Sequence, residues 1–190
     1  MLKLIRLRST TTRPADNTAY AAGDEISNSA TAGSVVRATF NLAGFRQGRI
    51  ISAGIDVTAT SSNVVTTASD LELLVYRTAE TPAAVGDNVA HPHTAAQRAL
   101  SIGGFRFDDT GWTGPLGTVA AGTSQIQVVA PTLVQPLAAN VLQYPWTPGY
   151  TFDLSDQAAS TLTVVLRALA AWTPLGVINT FGITLEMEVS

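Results

Sequence analysis

Two strand-length stretches near the start of the chain sort their residues with a period of two. In the stretch opening at Gly48, Ile51, Ala53, Ile55, Val57 and Ala59 share one face, and Ser52, Gly54, Asp56 and Thr58 share the other. Only an extended chain separates residues in this way. After a connection of Ser, Thr and Asn, Leu71, Leu73 and Val75 fall on one face while Glu72, Leu74 and Tyr76 fall on the opposite one. The spacing predicts a pair of core strands.

The same reading extends along the chain. Leu2 to Thr12 is a strand candidate in which Lys3, Arg6 and Arg8 interrupt Leu2, Leu4, Ile5 and Leu7, so its apolar residues keep to no single face. Tyr20 to Ile26 reads as a short strand with a turn at Gly23-Asp24, and Ser34 to Phe40 as a half-buried strand. A long connection from Thr78 to Ala99 carries Pro82, Gly86, Asp87, Asn88 and Pro92, and loops of this length usually have structure or work of their own. Thr94 to Leu100 predicts a short helix with Thr94 as its N-cap. In the strand from Leu100 to Phe107 the Gly103-Gly104 pair predicts a bulge or a close backbone approach. Gln125 to Ala130 and Tyr150 to Leu154 follow as strands. Thr161 to Ala168 and Thr180 to Val189 close the chain as a hairpin-like pair. Many strands at irregular spacing, long loops and almost no helix predict an all-β fold: a two-sheet antiparallel β-sandwich, jelly-roll-like, with at most one short helix. Residues 1–190 are expected to form a single domain, with 1–13 a possible interacting N-terminal arm or strand whose deletion leaves a folded protein.

Composition narrows the function. Charged residues make up 13% of the chain, half the ~25% typical of soluble domains. Lys3 is the only lysine; all other cations are arginines. Protein interfaces favour Arg and exclude Lys, because the guanidinium is weakly hydrated; biased codon usage gives the same pattern. A net charge of −3 provides no basic footprint for nucleic acid. The absence of cysteine removes disulfides, thiolate nucleophiles and thiolate metal sites together. No window approaches the ~20 apolar residues of a membrane span, and the N-terminus lacks the apolar core of a signal peptide. A soluble protein made inside the cell is expected.

No catalytic constellation stands out, and no enzyme activity, cofactor or metal site is expected. His91 and His93 flank Pro92 but have no third ligand at metal spacing, so they are read as part of a solvent-exposed polar loop. No serine sits in a nucleophile elbow. Asp108 and Asp109 are neighbours in a turn, not the converging pair of a glycosidase. Trp112, Trp146 and Trp172 all fall in predicted loops, with Tyr144 and Tyr150 nearby. They could cap the ends of the sandwich, anchor a protein contact, or stack on sugar rings. The candidate protein-interface residues are Leu2, Leu4, Arg6, Arg8, Trp112, Tyr144, Trp146 and Trp172.

Five short segments in order carry a family resemblance: Tyr20-Ala21-Ala22-Gly23-Asp24, Gly48-Arg49-Ile50-Ile51, Leu71-Glu72-Leu73-Leu74-Val75-Tyr76, Gly86-Asp87-Asn88 and Gly103-Gly104-Phe105. From Asn17 to Phe107 the chain resembles small virion proteins of tailed bacteriophages, in particular the jelly-roll decoration, or cement, proteins that coat capsids. It departs from their pattern at Glu25, where an aliphatic residue is more usual, and it matches nothing beyond Asp108. The resemblance implies a structural virion protein that binds the outside of a phage capsid and stabilises it by bridging neighbouring major capsid subunits. Its implied partners are the major capsid protein and itself, as a homodimer or homotrimer. It implies no catalytic residues, no nucleic-acid contact and no membrane contact. The protein would be made in the bacterial host cytoplasm and sit on the capsid surface. The alternative is a receptor- or carbohydrate-binding module of a phage head fibre or tail, using the loop aromatics.

Overall fold

The computed structural model describes residues 2–59, 70–92, 94–107, 124–129, 150–174 and 179–190. The strands are β1 (Lys3–Thr12), β2 (Glu25–Ile26), β3 (Thr39–Asn41), β4 (Gln47–Ala59), β5 (Leu71–Arg77), β6 (Ser101–Phe107), β7 (Ser124–Val129), β8 (Tyr150–Asp153), β9 (Thr161–Ala168) and β10 (Asn179–Val189). The single α-helix among the described residues, α1, is Ala95–Leu100. It opens with a reciprocal cap. The Gln97 amide donates to Thr94 Oγ1 at 3.3 Å, and the Thr94 amide donates to Gln97 Oε1 at 2.9 Å.

Two antiparallel sheets result. In the first, β10 lies between β1 and β4, and β7 and β8 share the far edge of β4. In the second, β9 has β2 and β3 on one side and β5, then β6, on the other. Taking β2 with β3 and β7 with β8 as interrupted strands, the pairing is nested. β5 meets β6, β4 meets β7 and β8, β2 and β3 meet β9, and β1 meets β10. This is one long hairpin rolled into two sheets, the double-sheet jelly roll.

The inward faces fill a continuous core from both sheets. Ile50, Ala53, Ile55 and Val57 of β4 and Phe181, Ile183, Leu185, Met187 and Val189 of β10 are buried. They meet Leu71, Leu73 and Val75 of β5 and Leu162, Val164 and Leu166 of β9 in one cluster. The glycines of β6 serve the close approach expected of them. The Tyr150 ring lies where a Cβ of Gly103 would stand, its hydroxyl donates to the Gly104 carbonyl at 2.8 Å, and its edge meets Phe105 at 5.2 Å. A register shift opposite, between Val75 and Tyr76, adds the bulge.

Several expectations need correction. The strand pairs β4/β5 and β9/β10, adjacent in sequence, are not neighbours in a ladder; each pair is split between the two sheets. The alternation of β4 slips by one at Ile51. The register shifts between Glu186 and Met187, so Ile50, not Ile51, continues the buried face. Of Ser34 to Phe40 only Thr39 and Phe40 enter a ladder, and residues 32–34 form a 3-10 turn. At the N-terminus, β1 pairs with β10 over its whole length, Ile5 and Leu7 pack against the core, and Arg13 just beyond it is buried.

Deleting residues 1–13 removes one complete ladder, leaves that edge of β10 unpaired, and takes Ile5 and Leu7 from the margin of the core. The truncated chain is therefore expected to lose its cooperative thermal transition. A sharp melt with native circular dichroism would contradict this placement of β1.

Candidate protein interface

The outward face of the first sheet is a registered grid. Reading across β1, β10 and β4, the rows are Thr10, Gly182, Asp56; Arg8, Thr184, Gly54; Arg6, Glu186, Ser52; and Leu4, Glu188, Arg49. Side chains at alternate positions share a face, which brings charges from three strands together. Arg8 leans over Gly182 to Asp56 with two bonds, Nη2 to Oδ2 at 2.8 Å and Nε to Oδ1 at 3.3 Å. A Cβ at Gly182 would collide with both of these side chains, so glycine makes room for the bridge. Arg6 approaches Glu186 at 3.7 Å, the Ser52 hydroxyl donates to Glu186 at 2.8 Å, and Arg49 pairs with Glu188 at 2.6 Å.

The candidate residues divide on inspection. Leu2 and Leu4 are 68% and 66% exposed at the outer end of β1, and Arg6 and Arg8 lie flat on the sheet face. Trp172 turns inward. It is buried, stacks on Tyr20 with centroids 5.0 Å apart, and exchanges two backbone hydrogen bonds with it, which is the capping arrangement. Trp112, Tyr144, Trp146 and His93 lie outside the described residues. His91 is buried, not part of an exposed loop. Its Nδ1 sits 2.9 Å from Glu25 Oε2 because residues 87–91 run alongside β2 and join it through backbone bonds. Among the described residues no three His, Asp or Glu side chains converge as a metal site would require.

Glu25, the departure from the family pattern, anchors the outer face of the second sheet. Arg37 grips its carboxylate through Nε at 2.8 Å and Nη2 at 2.6 Å, and also donates to the carbonyls of Pro82 and Ala83. Burial alone would raise the Glu25 pKa, but the bonds from His91 and Arg37 outweigh it and hold the carboxyl below its ordinary range. Beside it, Arg167 pairs with Glu72, and Leu74, Tyr76 and Val165 form a second small core. Burial pushes the Tyr76 phenol up to about 12.

A second tie closes the same end of the sandwich. The Tyr20 hydroxyl donates to the Asp87 carboxylate at 2.7 Å, Arg13 Nε donates to that hydroxyl at 3.1 Å, and the Ser27 amide donates to Asp87 at 2.8 Å. Burial raises the Asp87 pKa against the bonds from Ser27 and Tyr20. The sequence singled out Tyr20 and Asp87 as parts of two separate motifs. Their contact, and the roles of Glu25 and Arg37, were not legible; the one signal was an acid where an aliphatic residue is usual.

The two classes of ion pair differ in cost. Arg8→Ala, at an exposed bridge, is expected to destabilise by about 0.2–1 kcal/mol, whereas Arg37→Ala takes the guanidinium from a buried carboxylate, leaving it His91 alone, and costs about 3–5 kcal/mol; urea denaturation measures both. The Glu25 pKa is lowered on folding, so its stabilisation is full above the unfolded value and disappears as pH falls through the folded value. Glu25→Gln should therefore destabilise most at neutral pH, with the deficit narrowing in acid as pH falls below the ordinary Glu value and through the lower folded one. Asp87, raised on folding, works in the opposite sense: its contribution is full at low pH and fades as pH rises through its folded value. A deficit of Glu25→Gln that stays constant across the acid range would contradict the assignment of Glu25.

No family model matches this chain, and no curated protein matches it. Among solved structures it is similar to the decameric BFDV capsid protein, with 12% identity, coverage of 100% of this chain and 99% of that chain, and a TM-score of 0.33. It is also similar to a chain in the native Kashmir bee virus virion at acidic pH, with 11% identity, coverage of 100% and 73%, and a TM-score of 0.31.

Proposed function

We propose that this chain is a structural virion protein, acting as one jelly-roll domain over residues 1–190. It binds the outside of a phage capsid and bridges neighbouring major capsid subunits. The reading rests on the motif resemblance of Asn17 to Phe107 and on one structural observation, the state of the β1 edge. Among the described residues β1 is paired on one side only, and its register with β10 runs from Lys3 to Thr12 without a bulge or a proline. Natural sheets usually blunt such an edge with charge, proline or a bulge. Here the cations are drawn off it. Arg6 and Arg8 turn back to Glu186 and Asp56, and the Lys3 ammonium sits 5.5 Å from the Phe45 ring centre.

What remains is a long, open backbone edge beside exposed Leu2 and Leu4. Such an edge accepts an added strand, with backbone hydrogen bonds supplying affinity and alternate side chains supplying specificity. Repeated by symmetry over a shell, or within a homodimer or homotrimer, modest contacts of this kind stabilise the assembly through mass action. The role requires no catalytic residue and no cofactor.

The purified protein is expected to co-sediment with expanded phage capsids lacking it, saturating at a fixed ratio to the shell protein. The double variant Leu2→Lys/Leu4→Lys places charge at exposed sites of the edge and should change stability by less than about 0.5 kcal/mol, while capsid binding and self-association are lost. Failure of the well-folded wild-type chain to bind would sink the capsid reading; normal binding by the double variant would remove β1 from the contact.

A further inference from the structure

The outward face of the first sheet contains a groove of about 330 Å³ over β10, between β1 and β4. That volume lies at the lower end of the range for small-ligand sites. Its floor is Thr184, 9% exposed, and Gly54. Two rungs bound it: the Arg8–Asp56 bridge on one side, and Arg6, Glu186 and Ser52 on the other. By register the rungs are separated by two rows of the grid, Gly182 to Glu186 along β10, roughly 13–14 Å of strand, which is room for more than one sugar ring.

The charge of this groove selects its ligand. Two arginines face two carboxylates, so phosphate or nucleic acid meets no uncompensated cation. A cationic ligand likewise meets no free acid, and no large apolar side chain stands exposed on the floor for a hydrophobic ligand. What the groove does offer is donor-only groups alternating with acceptor-only groups. A sugar hydroxyl is both donor and acceptor, so one hydroxyl can accept from a guanidinium while donating to the neighbouring carboxylate. The bridges already hold these side chains in place, which lowers the ordering cost of binding.

The geometry points to this groove as a binding site for a neutral oligosaccharide, with Arg6, Arg8, Ser52, Asp56, Thr184 and Glu186 making the contacts. The site is separate from the loop aromatics, and it uses the Arg6 and Arg8 side chains of β1 rather than that strand's open backbone edge. The test is saturation-transfer NMR and calorimetric titration of the full chain with maltohexaose, mannohexaose, galactohexaose and chitohexaose, beside a heparin hexasaccharide as the charged control. At least one neutral hexasaccharide should bind saturably, and the heparin fragment should not. Affinity should fall tenfold or more in Asp56→Asn, which preserves shape, and in Ser52→Trp, which fills the groove; both substitutions lie at a surface, and unchanged thermal melts show that folding is intact. The Leu2→Lys/Leu4→Lys chain should keep its sugar binding even where capsid binding is lost. Binding by none of the four neutral sugars, preference for heparin, or binding that survives both groove substitutions would overturn the assignment.

Discussion

The structure depends on β10 being paired on both sides. It hydrogen-bonds β1 along one edge and β4 along the other over almost its whole length, and its inward residues from Phe181 to Val189 sit at the centre of the core. Without it the first sheet separates into an N-terminal strand and a β4 edge with nothing between them. Because β10 is the last strand in the chain, the first and last strands must meet before the roll closes. The contacts are therefore dominated by residues far apart in sequence, and loop-closure entropy makes such a topology slow to fold.

The two outward faces are finished differently. On the first sheet the ion pairs are at least partly exposed, small in energy and laid across three strands beside a polar groove, and among the described residues β1 is paired on one side only. On the second, residues 81–91 bond to β2 and to Arg37; Glu25 and His91 are buried, and Leu74, Tyr76 and Val165 form a second small cluster. Burying ionised groups carries a large desolvation cost that partners only offset, so their contribution is better understood as orientation than as net stability. Arg37 fixes the crossing segment through the carbonyls of Pro82 and Ala83, and Asp87 fixes it again through Tyr20 and Ser27. The long connection after β5 is thus held to the second sheet by both ties.

The sequence by itself determined the strand content, because alternation is a local property. β5, β9 and β10 stand within a residue or two of where periodicity places them, the capped helix begins after Thr94, and the Gly103-Gly104 pair meets a ring at close range. Tertiary structure decided everything that depends on which strand lies beside which. It split each pair of sequence neighbours between two sheets, slipped β4 by one residue at Ile51, and paired β1 with β10. It turned Trp172 and His91 inward, and it brought Tyr20 to Asp87 and Arg37 to Glu25. The physical reason is that hydrophobic period reports only which face of a strand is buried, whereas ladder partners, bulges and buried ion pairs are set by distant segments whose meeting leaves no periodic trace in the sequence.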